Sequence, residues 1–130
     1  MEAESAGDFD RVFATIKAES PGGLLNLGDA LFNTHRKRIV EFLVDSRIPT
    51  MFTHERYVRA GGLMSYGPNF IDLHRRMAIY VDKILKGAKP GDLPVERPTR
   101  FDLTVNMKAA EALRISVPSS ILLRANKVIE

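Results

Sequence analysis

Three short polar clusters in this chain have residue types suited to chemistry: Gly28-Asp29, Thr53-His54-Glu55 and Ser65-Tyr66-Gly67. Each follows a short apolar run. In an open parallel sheet, small molecules bind beyond the carboxyl ends of the strands. Helix N-termini at those ends expose N–H groups that suit a carboxylate. An amino-acid-like solute needs such donors for its carboxylate, an acid for its ammonium, and an aromatic or apolar wall for its side chain. Asp29 suits a helix N-cap or a ligand contact, and one carboxylate can do both. Tyr66 reads either as a packing aromatic or as a stacking partner for a ligand. Asn26, inside an apolar run, is either a buried amide with a partner or a cleft residue.

Other chemistries lack their signatures. His54 has no second His, Cys or carboxylate at metal-ligand spacing on its own element, so no metal is expected. Ser65, His54 and Asp29 sit on neighbouring loops, but the chain has no G-x-S-x-G elbow, no P-loop and no G-x-G-x-x-G after a strand. No catalytic residue and no cofactor are expected. The 130 residues contain no cysteine, which excludes disulfide and thiol chemistry. Nineteen basic against 16 acidic residues leave 19 − 16 = +3, with both signs mixed along the chain. His35-Arg36-Lys37-Arg38 and Arg75-Arg76 read as solvated helix faces, so no nucleic-acid partner is expected. No apolar run approaches the ~18 residues of a membrane span.

The clusters must be held by a framework, and the hydrophobic pattern supplies one. Phe9, Val12, Phe13 and Ile16 repeat at helical spacing, before a break at Ser20-Pro21-Gly22-Gly23. Leu24–Leu27 reads as a buried strand. A helix from Ala30, with Asp29 as cap, carries Leu31, Phe32, His35, Ile39, Phe42 and Leu43 on one face. Ile48–Phe52 is the next strand, followed by a short helix Glu55–Arg59 capped by Thr53. Leu63–Tyr66 is the third strand. A helix from Asn69 to Lys86 carries Phe70, Leu73, Met77, Tyr80, Val81, Ile84 and Leu85 on one side, and Gly87 and Pro90 stop it. Phe101, Leu103 and Val105 alternate with polar residues, the period of a half-buried strand. Asn106 caps a helix through Leu113, and Pro118 opens a last helix reaching Ile129. Strands alternating with helices predict an α/β fold with a parallel sheet flanked by helices.

The order of features from Gly61 to Pro98, GGLMSYGPNFIDLHRRMAIYVDKILKGAKPGDLPVERP, closely resembles the C-terminal part of the substrate-binding proteins of ABC importers. The similarity is to the family whose better-known members bind tryptophan or tyrosine. It continues through Thr99–Leu103 and Pro118–Ala125. The resemblance implies a partial type I periplasmic-binding-protein fold with a flavodoxin-like lobe. Residues 1–66 would form a second-lobe portion. Residues 67–130 would form the hinge crossover, the long helix and a C-terminal strand-helix segment. It also implies reversible capture of an amino-acid-like or small organic solute in an interlobe cleft, with ABC permease subunits as partners of the full-length protein. The ligand-binding positions it marks are Asp29, Phe52, Thr53, His54, Glu55, Ser65 and Tyr66, and Asn26, a departure from the family pattern, is a further candidate. Many relatives have Pro-Asp-Pro where this chain has Gly28-Asp29-Ala30, which leaves that loop freer.

Proteins of that family are exported and considerably longer than this chain. The opening Met1–Ser5 is acidic and polar, without the basic start and apolar stretch of a secretory signal. The chain is therefore expected to be the back part of a periplasmic or otherwise extracytoplasmic protein. The apolar face of the Asn69–Lys86 helix then needs cover, since burying each large side chain contributes about 1.5–3 kcal/mol. It is expected to fold back on the sheet or to form a homodimer with a second copy. The competing reading is a stand-alone flavodoxin-like protein-interaction domain.

Overall fold

The structure, a computed structural model, describes residues 3–130. Five strands form one sheet in sequence order: β1 (Leu24–Asn26), β2 (Thr50–Phe52), β3 (Met64–Pro68), β4 (Phe101–Asn106) and β5 (Lys127–Ile129). Pairing is parallel from β1 through β3, as the alternation with helices implies. β4 runs antiparallel to β3, and β5 runs parallel to β4. The sheet is therefore mixed rather than wholly parallel. β4 reverses because residues 69–100 leave and return at one end of the sheet, where the Asn69 N–H donates to the Arg100 carbonyl at 2.9 Å.

Helix α1 (Phe9–Glu19) buries Phe9 and Ile16 as its spacing predicts. The single helix expected after Asp29 divides at His35 into α2 (Ala30–Thr34) and α3 (Arg36–Asp45). Side chains compete for backbone carbonyls at this joint: the Thr34 hydroxyl donates to the Ala30 carbonyl and the Arg36 guanidinium to that of Asn33. Phe9, Ile16, Ile39, Val40, Leu43, Ile48, Phe52 and Tyr57 make the main core. Phe13 and Phe42 stack beside it, with centroids 4.0 Å apart. Leu63, Ala109 and Ala110 make a smaller core under α6 (Met107–Ala112).

Two further expectations are corrected. The segment after Pro118 forms only one helical turn, α7 (Ser119–Leu122), and then strand β5. Pairing outweighs local helix preference here. Asn126 and Leu103 exchange two 2.8 Å hydrogen bonds, which dock the segment edge-on to β4.

Helix α5 (Phe70–Leu85), the long amphipathic one, does not fold back on the sheet, and none of its residues is buried. Val81 is 54% and Leu85 82% exposed. Part of its flank is strapped by the following extended segment, where the Tyr80 hydroxyl donates to the Pro94 carbonyl at 2.6 Å and Arg76 pairs with Glu96 at 3.3 Å. Exposed positions contribute little to folding, so Val81→Lys is expected to change the stability of this chain by less than about 0.5 kcal/mol, measured by urea denaturation.

Candidate functional site

The carboxyl ends of the three parallel strands converge on Thr53. Its hydroxyl donates to the Leu27 carbonyl at 3.2 Å, tying the loop after β2 to the loop after β1. Gly28 has φ +72°, and a Cβ there would stand 2.5 Å from Thr53 Oγ1. A Cβ on Gly67 would run into the Thr53 carbonyl oxygen. Both glycines let backbone pass where a side chain would not fit. Thr53→Val removes the donor and leaves the Leu27 carbonyl without that partner. It is expected to cost about 1 kcal/mol, read from the shift in denaturation midpoint.

Beside Thr53 lies a cleft of about 240 Å³. One wall is the start of α4 (Glu55–Arg59) with His54. The floor carries Ser65 and Thr104, which face each other across the β3–β4 pair and are both almost wholly buried. The far side is Gly67–Ile71 and Asp102, where the chain passes from sheet to α5. Arg56 and Arg59 also line the cleft.

His54, rather than Thr53, caps α4. Its Nδ1 accepts the Arg56 N–H at 3.2 Å, which requires that nitrogen to be unprotonated. Its ring stacks on Phe70 of α5, with centroids 4.4 Å apart and planes 16° from parallel. Burial, and then the Arg56 guanidinium, push the imidazole pKa below its ordinary 6.5, against the smaller opposite pull of Glu55. The sign follows. Below pH 6.5 the unfolded chain takes up this proton first, so His54 contributes stability that is full above 6.5 and is lost as pH falls from there through the folded-state value. His54→Gln is expected to flatten that part of the stability–pH curve, measured by denaturation at a series of pH values. Glu55 behaves separately. Lys127 of β5, then Arg59, hold its carboxyl below the usual range, and both bond to Oε1 at 2.9 Å. Its contribution is lost only as pH falls below 4.5.

Of the positions marked from sequence, Thr53, His54, Glu55 and Ser65 meet in this cleft. Asn26 and Asp29 line a neighbouring, mostly apolar groove beside β1. Both are engaged locally: the Asn26 Oδ1 accepts from the Gly28 N–H at 3.0 Å, and Asp29 caps α2 by accepting from Leu31 at 2.6 Å. Phe52 does not line the cleft. It is 1% exposed and stacks on Tyr57 within the core. Tyr66 also points elsewhere, half exposed and stacked on Phe101 at 5.7 Å. Sequence reasoning missed Asn69, Phe70, Asp102 and Thr104. The alternation Phe101-Asp102-Leu103-Thr104 does put Asp102 and Thr104 on one strand face, but only the reversed direction of β4 brings them to the cleft. Among the described residues, no group of three or more His, Asp or Glu side chains gathers as a metal site would.

A five-stranded, mostly parallel sheet flanked by helices is the architecture of periplasmic-binding-protein-like domains. The chain belongs to the ABC transporter substrate binding protein family, whose model matches residues 3–129. No curated protein matches it. Among solved structures, it is similar to a conserved domain protein from Vibrio cholerae O1 biovar eltor, with TM-score 0.89 and 27% identity over 97% of this chain and 42% of that one. It is also similar to an ABC domain from Streptococcus pneumonia in complex with L-Trp, with TM-score 0.91 and 25% identity over 99% of this chain and 43% of that one. A ligand-free, open substrate binding protein with adhesive properties from Clostridium difficile shares the fold at TM-score 0.66 and 20% identity, over 98% of this chain and 42% of that one. The chain thus spans less than half the length of these structures.

Proposed function

We propose that this chain is the C-terminal portion of an extracytoplasmic solute-binding protein serving an ABC importer. The cleft around Thr53, Ser65 and Thr104 captures an amino-acid-like or small organic solute reversibly, and no bond is made or broken. The observation that carries this reading is the junction of three strand-end loops at Thr53 in a chain of this family. The similar structure holding L-Trp supports the class of solute. Residues 3–66 with β4 and β5 form one lobe. Tyr66–Pro68 and Phe101–Leu103, paired antiparallel, are the two strands that bend when the lobes close. The stripe of α5 is assigned to the other lobe rather than to a second copy of the chain, because the similar structures extend well beyond this portion. ABC permease subunits would receive the loaded protein. No helix among the described residues is long and apolar enough to cross a membrane.

A thermal-shift screen against amino acids and small organic acids, with light scattering on the same sample, tests this reading. Binding to half a cleft is weak, so stabilisation follows the ratio of solute to dissociation constant. A tenfold excess over that constant gives about 1.4 kcal/mol, a rise of several degrees in a chain of this size. At least one solute is expected to give that rise on a monomer. A flat response to every solute, or a dimer mass, contradicts the assignment.

A further inference from the structure

Two walls of the cleft meet at one ring. His54 caps α4 on one side, and Phe70, the first residue of α5, lies on the other. Their rings stack with centroids 4.4 Å apart and planes 16° from parallel. The same imidazole is held at its edge by the Arg56 N–H, which donates to Nδ1 at 3.2 Å. One side chain therefore closes the start of α4 and grips the start of α5. A proton on Nδ1 turns the acceptor into a donor facing another donor, so the ring must rotate out of the cap. Rotation takes it off Phe70 as well, because a stacked pair holds only while the rings stay face to face.

The charges around the ring oppose an imidazolium that stays in place. On α4, the Arg56 and Arg59 guanidiniums line the same cleft and repel it. Glu55 attracts it, but its Oε1 already accepts from Lys127 of β5 and from Arg59, each at 2.9 Å. From β4, Asp102 lines the cleft, with Oδ2 accepting from the Asn69 amide at 2.6 Å and Oδ1 sealed from solvent. On α5, Asp72 lies toward Arg76 at 3.9 Å, and His74 Nδ1 meets the Phe70 carbonyl. The face of Phe70 attracts a cation. Burial and Arg56 outweigh the attractions and push the imidazole below its ordinary 6.5.

We propose that the His54–Phe70 contact is a proton-operated latch across the cleft: closed when His54 is neutral, and released at both the α4 cap and the start of α5 when it is protonated. Acidification then widens the cleft between α4 and α5. The latch uses only groups of this chain, so it stands independently of the solute-binding reading.

The test is an NMR titration of the labelled chain from about pH 7.5 to about 5, the range of histidine. It follows the 3 histidine rings, the Phe70 ring and the backbone amides of Arg56, Phe70 and Ile71. His54 is expected to titrate with a midpoint below 6.5. The Arg56 amide proton should move upfield with that midpoint, as a proton leaving a hydrogen bond does. The Phe70 ring and the Phe70 and Ile71 amides should move with it. His54→Asn keeps a capping side chain but cannot titrate, and its spectrum reports whether it is folded. It is expected to lose the joint transition. His74→Gln should keep it, which separates the latch from the histidine that meets the Phe70 carbonyl. Phe70→Leu should keep the Arg56 transition and lose the one along α5. Phe70 and Ile71 amides that stay still while His54 titrates, or that move unchanged in His54→Asn, overturn the latch. An Arg56 amide that keeps its position as the His54 ring takes up its proton overturns it too.

Discussion

Gly67→Ala is expected to cost the chain about 3 kcal/mol of stability or more. The added Cβ meets the backbone carbonyl of Thr53, not the movable tip of a side chain. Either β3 or the loop after β2 must shift. β3 is held on both sides, by β2 through Met64 and Ser65 and by β4 along its whole length. Inserting a methyl into rigid packing costs about 1–3 kcal/mol, and here the upper end or beyond applies because neither partner can rotate away. Domains of this size are stable by only about 5–15 kcal/mol, so that loss is a large share. Urea denaturation should show a midpoint well below that of the parent chain. Gly91→Ala, where a Cβ would meet nothing within 4 Å, is the matched control and should leave the midpoint nearly unchanged. A Gly67→Ala chain as stable as the parent would mean that the loops do not close-pack around Thr53.

Phe52→Ala is expected to cost about 3–5 kcal/mol, comparable to the loss at Gly67. The ring lies against Tyr57 at 4.7 Å, nearly parallel, and a Cβ on Gly62 would come within 2.6 Å of its edge. The site has no slack to collapse into, so the cavity stays open. Truncating a ligand contact would have the opposite signature, leaving stability unchanged and weakening binding. Phe52→Ala therefore separates the two roles: denaturation should register the change, and Phe52→Leu should recover much of the loss.

The parts of the fold that were legible in sequence are those fixed by local rules. The Phe9–Ile16 spacing, the caps at Asp29 and Asn106, the start of the long helix near Asn69 and the stop at Gly87 (φ +100°) all depend on residues a few positions apart. What could not be read depends on partners distant in sequence. β5 exists because Asn126 and Leu103 bond to each other, a pairing invisible in the helix-compatible run after Pro118. The reversed direction of β4 follows from where residues 69–100 return, and that reversal carries Asp102 and Thr104 into the cleft. The same holds within the site. Thr53, His54, Glu55 and Ser65 could be grouped from sequence, and they line one cleft, because strand ends can be located from apolar runs. Phe52 and Tyr66 were grouped with them, but Phe52 packs against Tyr57 in the core and Tyr66 stacks on Phe101, contacts that apolar runs do not display. The exposed stripe of α5 shows the limit most plainly: its amphipathic pattern is strong, but nothing in it says what covers it.

The account turns on the cleft between the end of β2 and the start of α5. The most direct measurement is an amide-shift map of the isotopically labelled chain across a panel of amino acids and small organic acids. At least one solute is predicted to give saturable shifts centred on Thr53, Ser65 and Thr104, extending to Asn69. Shifts confined to the exposed face of α5, or none from any member of the panel, would contradict the assignment of this cleft as a solute site.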